Sequence, residues 1–392
     1  MRDLILRPAG AFLARRLTAL RDDGGRGAVG VLVAVLIGGG VLFGMAALVV
    51  DVGQLYQNRA ELQNGADAAA LAVAKSCAAG TCTPSIAAQY ANSNASGLTG
   101  GKACVNFVSG VNGTVPVSWV PAAGTCAAAK KVCPPNPPAG ANYADVETST
   151  LLPKGSTVLP AGFAGTLAGH HSGNTVYACA QAEWGGPLSA TTVGVTISAC
   201  TWDVATGTAD KNGHPTGNPP VLAPPPPYTA SNPAPTADTV VYLKGGPTTP
   251  CTTEPNGAAA PGNFGWTSDP TNACSTFISG GTYGGSTGNS VSQACKPLLQ
   301  SWQANRTVIE VPVYVSVSGN GANATYTLKG FAAFVITGYK LPSMSATDWV
   351  TGKAPCNGGS SCISGFFTHE LVDTAGSLGG VNLGVTMIKL TG

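Results

Sequence analysis

Residues 27–50, GAVGVLVAVLIGGGVLFGMAALVV, form an uncharged, largely apolar run, and nothing else in the chain restricts its fold as strongly. At about 1.5 Å per helical residue, such a run crosses a hydrocarbon core of roughly 30 Å. It passes without a proline into a polar, alanine-rich stretch, DVGQLYQNRAELQNGADAAALAVA, that keeps a helical pattern. The expectation is a transmembrane helix over 27–50, extended by an amphipathic membrane-proximal helix over 51–76. A cleaved secretory signal has an apolar core of only about 7–15 residues. The nearest small-residue cleavage pattern here, around Ala68 and Ala70, lies far past the run. The helix is therefore read as a retained anchor in a lipid bilayer.

The flanks set the orientation. Arg2, Arg7, Arg15, Arg16, Arg21 and Arg26 face only Asp3, Asp22 and Asp23 in residues 1–26. A short arginine-rich tail resists translocation and stays in the cytoplasm. This places the long C-terminal part outside the cytoplasm, on a single-pass anchor.

Small or apolar residues recur at Leu48, Val52, Leu55, Leu62, Ala66, Ala69 and Val73, a 3-4 spacing broken only by Arg59. That spacing draws a narrow stripe along one helix face. Its partner is either another helix or the protein's own outer domain, and the pattern leaves both open. Within the span, Gly40 and Gly44 make a GxxxG pair that lets two backbones approach, as in a homodimer. Asp51 stands at the outer end of the span, where a carboxylate reaches water cheaply, unlike one at mid-bilayer. It marks the boundary or makes a polar contact with another membrane helix.

Beyond the anchor, the chain is rich in Gly and Pro and poor in charge, with 10% charged residues overall. All twelve cysteines follow the span: Cys77, Cys82, Cys104, Cys126, Cys133, Cys179, Cys200, Cys251, Cys274, Cys295, Cys356 and Cys362. An even number on the side expected to be oxidising points to structural disulfides. Metal-ligand spacing is the competing reading, but no CxxC occurs and His170, His171, His214 and His369 do not form a ligand pattern. Spacing does not determine connectivity. Cys77/Cys82, Cys126/Cys133 and Cys356/Cys362 are candidates for short loops, and Cys179/Cys200 and Cys251/Cys274 for links between neighbouring strands.

The outer part reads as mainly β with long Pro/Gly-rich loops, so the fold class is α+β. Residues 193–201 alternate with Val193, Val195, Ile197 and Ala199 on one face. The clearest strand is 307–318, with Ile309, Val311, Val313, Val315 and Val317 on one face and Pro312 opposite, which implies an edge or a bulge. Residues 319–323, GNGAN, make a turn into a second run over 324–339, giving a hairpin. Residues 239–244 and 381–390 are further strands. The prolines of 207–237 mark a linker or an exposed loop, with a smaller one at 134–138. The outer part is accordingly divided into 77–206 and 238–392 around the proline-rich segment, which either separates two domains or interrupts one.

Enzyme signatures are lacking: no HExxH, GxSxG, Walker lysine loop or GxGxxG after a strand is present. Asp373 to Ser377, DTAGS, departs from an aspartic-protease turn by Ala375 and reads as a turn before the last strand. The chain carries a formal +2, with +3 in the tail, so the remainder has no basic footprint for nucleic acid. No cofactor is expected. The six tryptophans are read as packing residues, with a glycan-stacking platform as the competing reading.

RGAV at Arg26, VDVGQLY from Val50 and R-x-x-L-Q-x-x-A-D-A-A-A-L-A from Arg59 to Ala72 carry a family resemblance. Residues 26–74 resemble the N-terminal domain of the TadG-like proteins of Flp (tight-adherence) pilus assembly, with Gly65 where alanine is common. Val311 to Leu341 is similar to segments in actinobacterial members of that group. The resemblance implies a non-catalytic membrane component whose anchor helix meets other pilus-assembly subunits. Pilins of that system are cut after a glycine with a glutamate five residues on. Here the fifth residue after Gly27 is Leu32, and the first glutamate is Glu61. The resemblance thus implies an uncleaved anchor and no polymerising pilin. A wall- or glycan-contacting adhesion module on the same anchor is the alternative reading, and a secreted-side hydrolase a more distant one.

Overall fold

The computed structural model describes residues 26–98, 101–130, 133–137, 140–160, 173–244, 251, 264–269, 272–286, 291–319, 323–372 and 376–391. The arginine-rich tail before Arg26, His170 and His171, and Asp373 to Ala375 lie outside the described residues.

Helix α1 (Arg26–Ala78) is continuous over 53 residues, about 80 Å long, so no break separates the expected span from its extension. It stops where the chain provides stop signals. The Gly80 amide donates to the Cys77 carbonyl at a φ of +82°, and Pro84 follows. A disulfide between Cys77 and Cys82 closes this turn. Helix α2 (Ala87–Asn94) then packs back on α1.

Strands β1 (Lys102–Asn112), β2 (Val115–Trp119), β3 (Asn142–Leu151) and β4 (Tyr177–Pro187) pair antiparallel in the order β2–β1–β3–β4. Next come β5 (Ser189–Val193), β6 (Val195–Ser198), α3 (Ala199–Ala205), β7 (Thr239–Lys244), β8 (Phe264–Trp266), β9 (Ser275–Ser279) and β10 (Thr282–Gly284). Helix α4 (Cys295–Asn305) leads into β11 (Val308–Ser318) and β12 (Thr325–Leu341). The chain closes with β13 (Met344–Ala346), β14 (Ser361–Thr368), β15 (Glu370–Val372), β16 (Leu378–Asn382) and β17 (Val385–Leu390). Among the described residues, all but β5 and β9 join one mixed sheet, whose main path is β2–β1–β3–β4–β16–β12–β11–β6–β8. β5 and β9 pair separately. The architecture is α+β: one long helix and a large mixed-sheet domain with six disulfides.

Three cores fill this framework. One packs α1 and α2 on β1, β3 and β4. A second gathers Val195, Trp202, Val311, Phe334, Ile363 and Phe367. In the third, Tyr326 stacks on Tyr283 at 5.4 Å and packs on Tyr314 at 4.9 Å.

The β11–β12 hairpin and β7 lie where alternation puts them. Three local readings change. The strand expected over 193–201 is two short strands followed by a helix: the Ser198 hydroxyl caps α3 by accepting the Thr201 amide, 3.1 Å away. In β11, register shifts beside Tyr314 turn the ring inward and Val315 outward, leaving Val315 40% exposed. Pro312 lies in an interior strand, between β12 and β6, just before that irregularity. The run 381–390 is split at Gly384, whose φ is +117°, between β16 and β17.

The proline-rich segment is laid against the domain. The Val221 amide donates to the Thr206 carbonyl and the Ala223 amide to that of Phe367, each at 2.8 Å. Tyr228 packs on Trp349 and Phe366. Strands before the segment pair with strands after it, β4 with β17 and β6 with β11.

Each of the twelve cysteines bonds its neighbour along the chain: 77–82, 104–126, 133–179, 200–251, 274–295 and 356–362. The expected Cys77/Cys82 and Cys356/Cys362 pairs form. Cys126/Cys133, Cys179/Cys200 and Cys251/Cys274 do not. Cys104 in β1 takes Cys126, and Cys179 in β4 takes Cys133, so one loop is pinned to two strands. Cys200 at the start of α3 takes Cys251, and Cys295 at the start of α4 takes Cys274.

Candidate functional site: the long helix and its seat

The two parts of α1 have opposite surroundings. Over residues 29–50, bulky apolar side chains point outward on every side of the helix, with Leu42 and Phe43 at 70% and 74% exposure. Gly40 and Gly44 stand on open backbone, where an added Cβ would meet nothing within 4 Å. From Asn58 onward one face is closed. Leu62, Ala66, Ala69, Ala70, Val73 and Ala74 are fully buried against the outer domain. The lower stripe therefore packs on the protein's own sheet, while Leu48 and Val52 remain exposed.

Small residues make the seat close. A Cβ on Gly65 would lie 2.7 Å from the Ala91 carbonyl oxygen and 3.2 Å from the Ala95 Cβ, so only glycine admits α2 at this distance. Ala144, Val146, Ala178, Ala180 and Ala182 supply the sheet side of the same core. Polar bonds fix its register. The Thr148 hydroxyl donates to the Leu62 carbonyl at 3.1 Å. The Gln63 side-chain amide donates to the Cys179 carbonyl at 3.0 Å and to Asp67 at 2.8 Å. Glu61 accepts the Gly97 amide at 3.1 Å, tying the chain after α2 to α1.

The interleaved residues of β3 are polar. Asn106 donates to Glu147 at 3.0 Å, Ser149 donates to Asn106 at 2.7 Å, and Gln181 donates to Asp145 at 2.9 Å. Burial raises the Asp145 carboxyl above its usual range, partly offset by the Gln181 bond. The loop carrying Cys126 and Cys133 lies on this network, with the Lys130 amide donating to Glu147 at 2.9 Å.

At the boundary between the exposed and seated parts lies a largely apolar groove of about 600 Å³. Leu48, Asp51, Val52 and Leu55 line its helix side, and Leu152, Pro153, Lys154 and Leu159 its other side. Asp51 and Leu55 thus belong to neither the seated core nor the bare part of the helix. The sequence reading did not single out the 152–160 turn. Its signal was a pair of leucines in a Pro-Lys-Gly turn, where solvent-facing residues are the rule.

Two carboxylate pairs lie in the distal part of the sheet. Asp238 and Asp348 flank Thr337, whose hydroxyl donates to Asp238 and contacts Ser364 at 2.8 Å. Burial, with the neighbouring Asp348, pushes Asp238 up to about 6. Burial acts upward on Asp348 as well, but its bonds with Asp238 and the Thr351 and Val350 amides leave it below the usual range. Burial and the charge of Glu310 push Glu370 up to about 7. Among the described residues, no three His, Cys, Asp or Glu side chains gather as a metal-binding group. Trp184, Trp202 and Trp266 are buried in the cores, and Trp349 is half-buried with Arg306 over its ring at 4.6 Å.

The arrangement defines a class of protein: a disulfide-rich β domain built onto one end of a long helix whose other end is bare and apolar. Residues 27–76 match the model of the TadE/G-like Flp pilus-assembly family, a segment containing both the bare part and the seated part. No curated protein and no solved structure matches the chain significantly.

Proposed function

We propose that the chain is a non-enzymatic, single-pass component of the Flp (tight-adherence) pilus-assembly machinery, of the actinobacterial type. Its N-terminal tail is cytoplasmic and its disulfide-stapled domain extracytoplasmic. One observation carries this reading: the family match covers the helix that is apolar and bare over 29–50 and buried in the outer domain from Asn58. An apolar helix of this length with its bulky side chains exposed is suited to a lipid environment, and disulfides belong to an oxidising compartment. In this reading, α1 is both anchor and strut. Gly40 and Gly44 leave its backbone open to a second copy or to another assembly subunit, and the outer domain is presented at a fixed height above the membrane.

Protease shaving of intact cells with C-terminally tagged protein, followed by carbonate washing, tests the topology. Loss of the tag with an N-terminal fragment retained in the membrane is expected; a protected tag or a fully released protein overturns it. Deletion from a piliated host tests the role. Pili are expected to be lost, restored by the wild-type chain, and not restored when residues 27–50 are replaced by an unrelated apolar helix. Unchanged piliation after deletion overturns the assembly reading.

A further inference from the structure

The groove beside the 152–160 turn lies at a depth that the apolar span defines. A bilayer measures about 40–45 Å with headgroups and about 30 Å without, leaving roughly 5–7 Å of headgroup layer on each side. At about 1.5 Å per residue, that layer covers about three to five residues of α1 beyond Val50. Leu48, Val52 and Leu55 line the groove together with Leu152, Lys154 and Leu159. The turn therefore stands level with the end of the span, within the headgroup layer. Residues 151–160, LLPKGSTVLP, suit that place: three leucines, a valine and two prolines, and one cation, Lys154, while the carboxylate in the groove's lining, Asp51, stands on the helix side. The groove's volume of about 600 Å³ falls within the ordinary range for a small-molecule site of roughly 300–1,000 Å³.

We propose that this groove holds a phospholipid of the outer leaflet, with its acyl chain against Leu48, Val52 and Leu159 and its phosphate at Lys154. The proposal rests on the reading of 27–50 as a transmembrane span. It gives the outer domain a second contact with the bilayer, so that the domain is docked on the surface and does not pivot on the helix alone.

The test reconstitutes the full chain in phosphatidylethanolamine–phosphatidylglycerol vesicles containing a phospholipid with a diazirine in its acyl chain. After irradiation, lipid adducts are mapped by mass spectrometry. Adducts are expected on the 29–50 segment and on 152–160. Lys154→Glu is expected to lower those on 152–160 at least threefold while leaving the span unchanged. Adducts on the span alone overturn the lipid site and leave the anchor standing. Absence of adducts from both segments overturns the anchor, and the lipid site with it. Labelling of the turn that emerges only when the protein is diluted in lipid assigns the groove to a second copy and likewise overturns the proposal.

Discussion

The two ends of α1 share one continuous backbone, but the first is uncharged over 27–50 and the second carries Asp51, Arg59, Glu61, Asp67 and Lys75, and the faces that meet their surroundings differ in side-chain size. Residues 29–50 place Val, Leu, Ile, Phe and Met outward, where each gains by leaving water for any apolar medium. From Leu62 to Ala74, the buried positions are mostly alanine, which contributes little transfer energy but lets a sheet and a second helix approach. Glycine marks the same division. Gly38, Gly39, Gly40 and Gly44 meet nothing, whereas Gly65 sits against the Ala91 carbonyl. Bulk suits a fluid solvent that imposes no shape, and small size suits a fixed neighbour. Mean hydropathy separates the two segments, and side-chain size says which kind of neighbour each one meets.

Four measurements break or sharpen this contrast. The largest effect is expected at the seat's outer staple. Cys133→Ser with Cys179→Ser opens a loop of 46 residues, and chain entropy puts the loss at about 4 kcal/mol. Opening the five-residue Cys77–Cys82 loop is expected to cost about 2 kcal/mol in the same urea titration of the micellar protein. Equal losses would break the entropic account. Next, Leu62→Ala is expected to destabilise the domain by about 3 kcal/mol, because the side chain is fully enclosed. Leu42→Ala is expected to leave the midpoint unchanged, and a comparable loss from both would erase the distinction between the two ends. Third, Leu36→Arg is expected to cost about 3 kcal/mol of membrane insertion, read as a rise in carbonate-extractable protein, with the unfolding midpoint unmoved.

The smallest effect is expected with pH, and away from the helix. Asp238 has a folded value of about 6 against 3.8 unfolded, so its contribution is fullest below 3.8 and is lost as pH rises through 6. Glu370, at about 7 against 4.5, acts in the same direction. Asp348 acts oppositely: its contribution is present above 3.8 and lost only as pH falls through its lowered value. Stability is therefore expected to decline between about pH 4 and 7, with Asp238→Asn and Glu370→Gln each removing part of the slope. Hydrogen exchange should place the loss near Asp348 and leave the amides of Leu62 to Ala74 protected. Loss at both places would mean that seat and distal sheet open together.

How much of this was legible depends on the range of the interactions involved. The helix, β7 and the β11–β12 hairpin are written in local periodicity, and the structure keeps them. Alternation through Val195 and Ile197 continued by coincidence into Ala199, where the Ser198 cap had already turned the chain into a helix. The inward turn of Tyr314 depends on register against β12, which no neighbouring residue encodes. The helix stripe was legible as a contact face, but its partner was not: Leu62 joins one core with Ala144 and Val146 only once β3 is in place. The groove shares this dependence, since Leu48 and Leu159 are more than a hundred residues apart. The cysteine pair 126/133 failed for a related reason, because each of these loop cysteines has its partner on a strand, Cys104 and Cys179, and taking Cys133 leaves Cys179 unavailable to Cys200.

Twelve cysteines admit on the order of ten thousand complete pairings. This chain uses the one in which every bond joins immediate successors and no loop encloses or crosses another. On the proposed export of the domain behind an N-terminal anchor, that pairing order makes oxidation a matter of timing. Each odd-numbered thiol waits only for the next one to emerge, and the first partner to arrive is the native one. On that reading no bond made early has to be undone later, and the staples are expected to close in the order of synthesis.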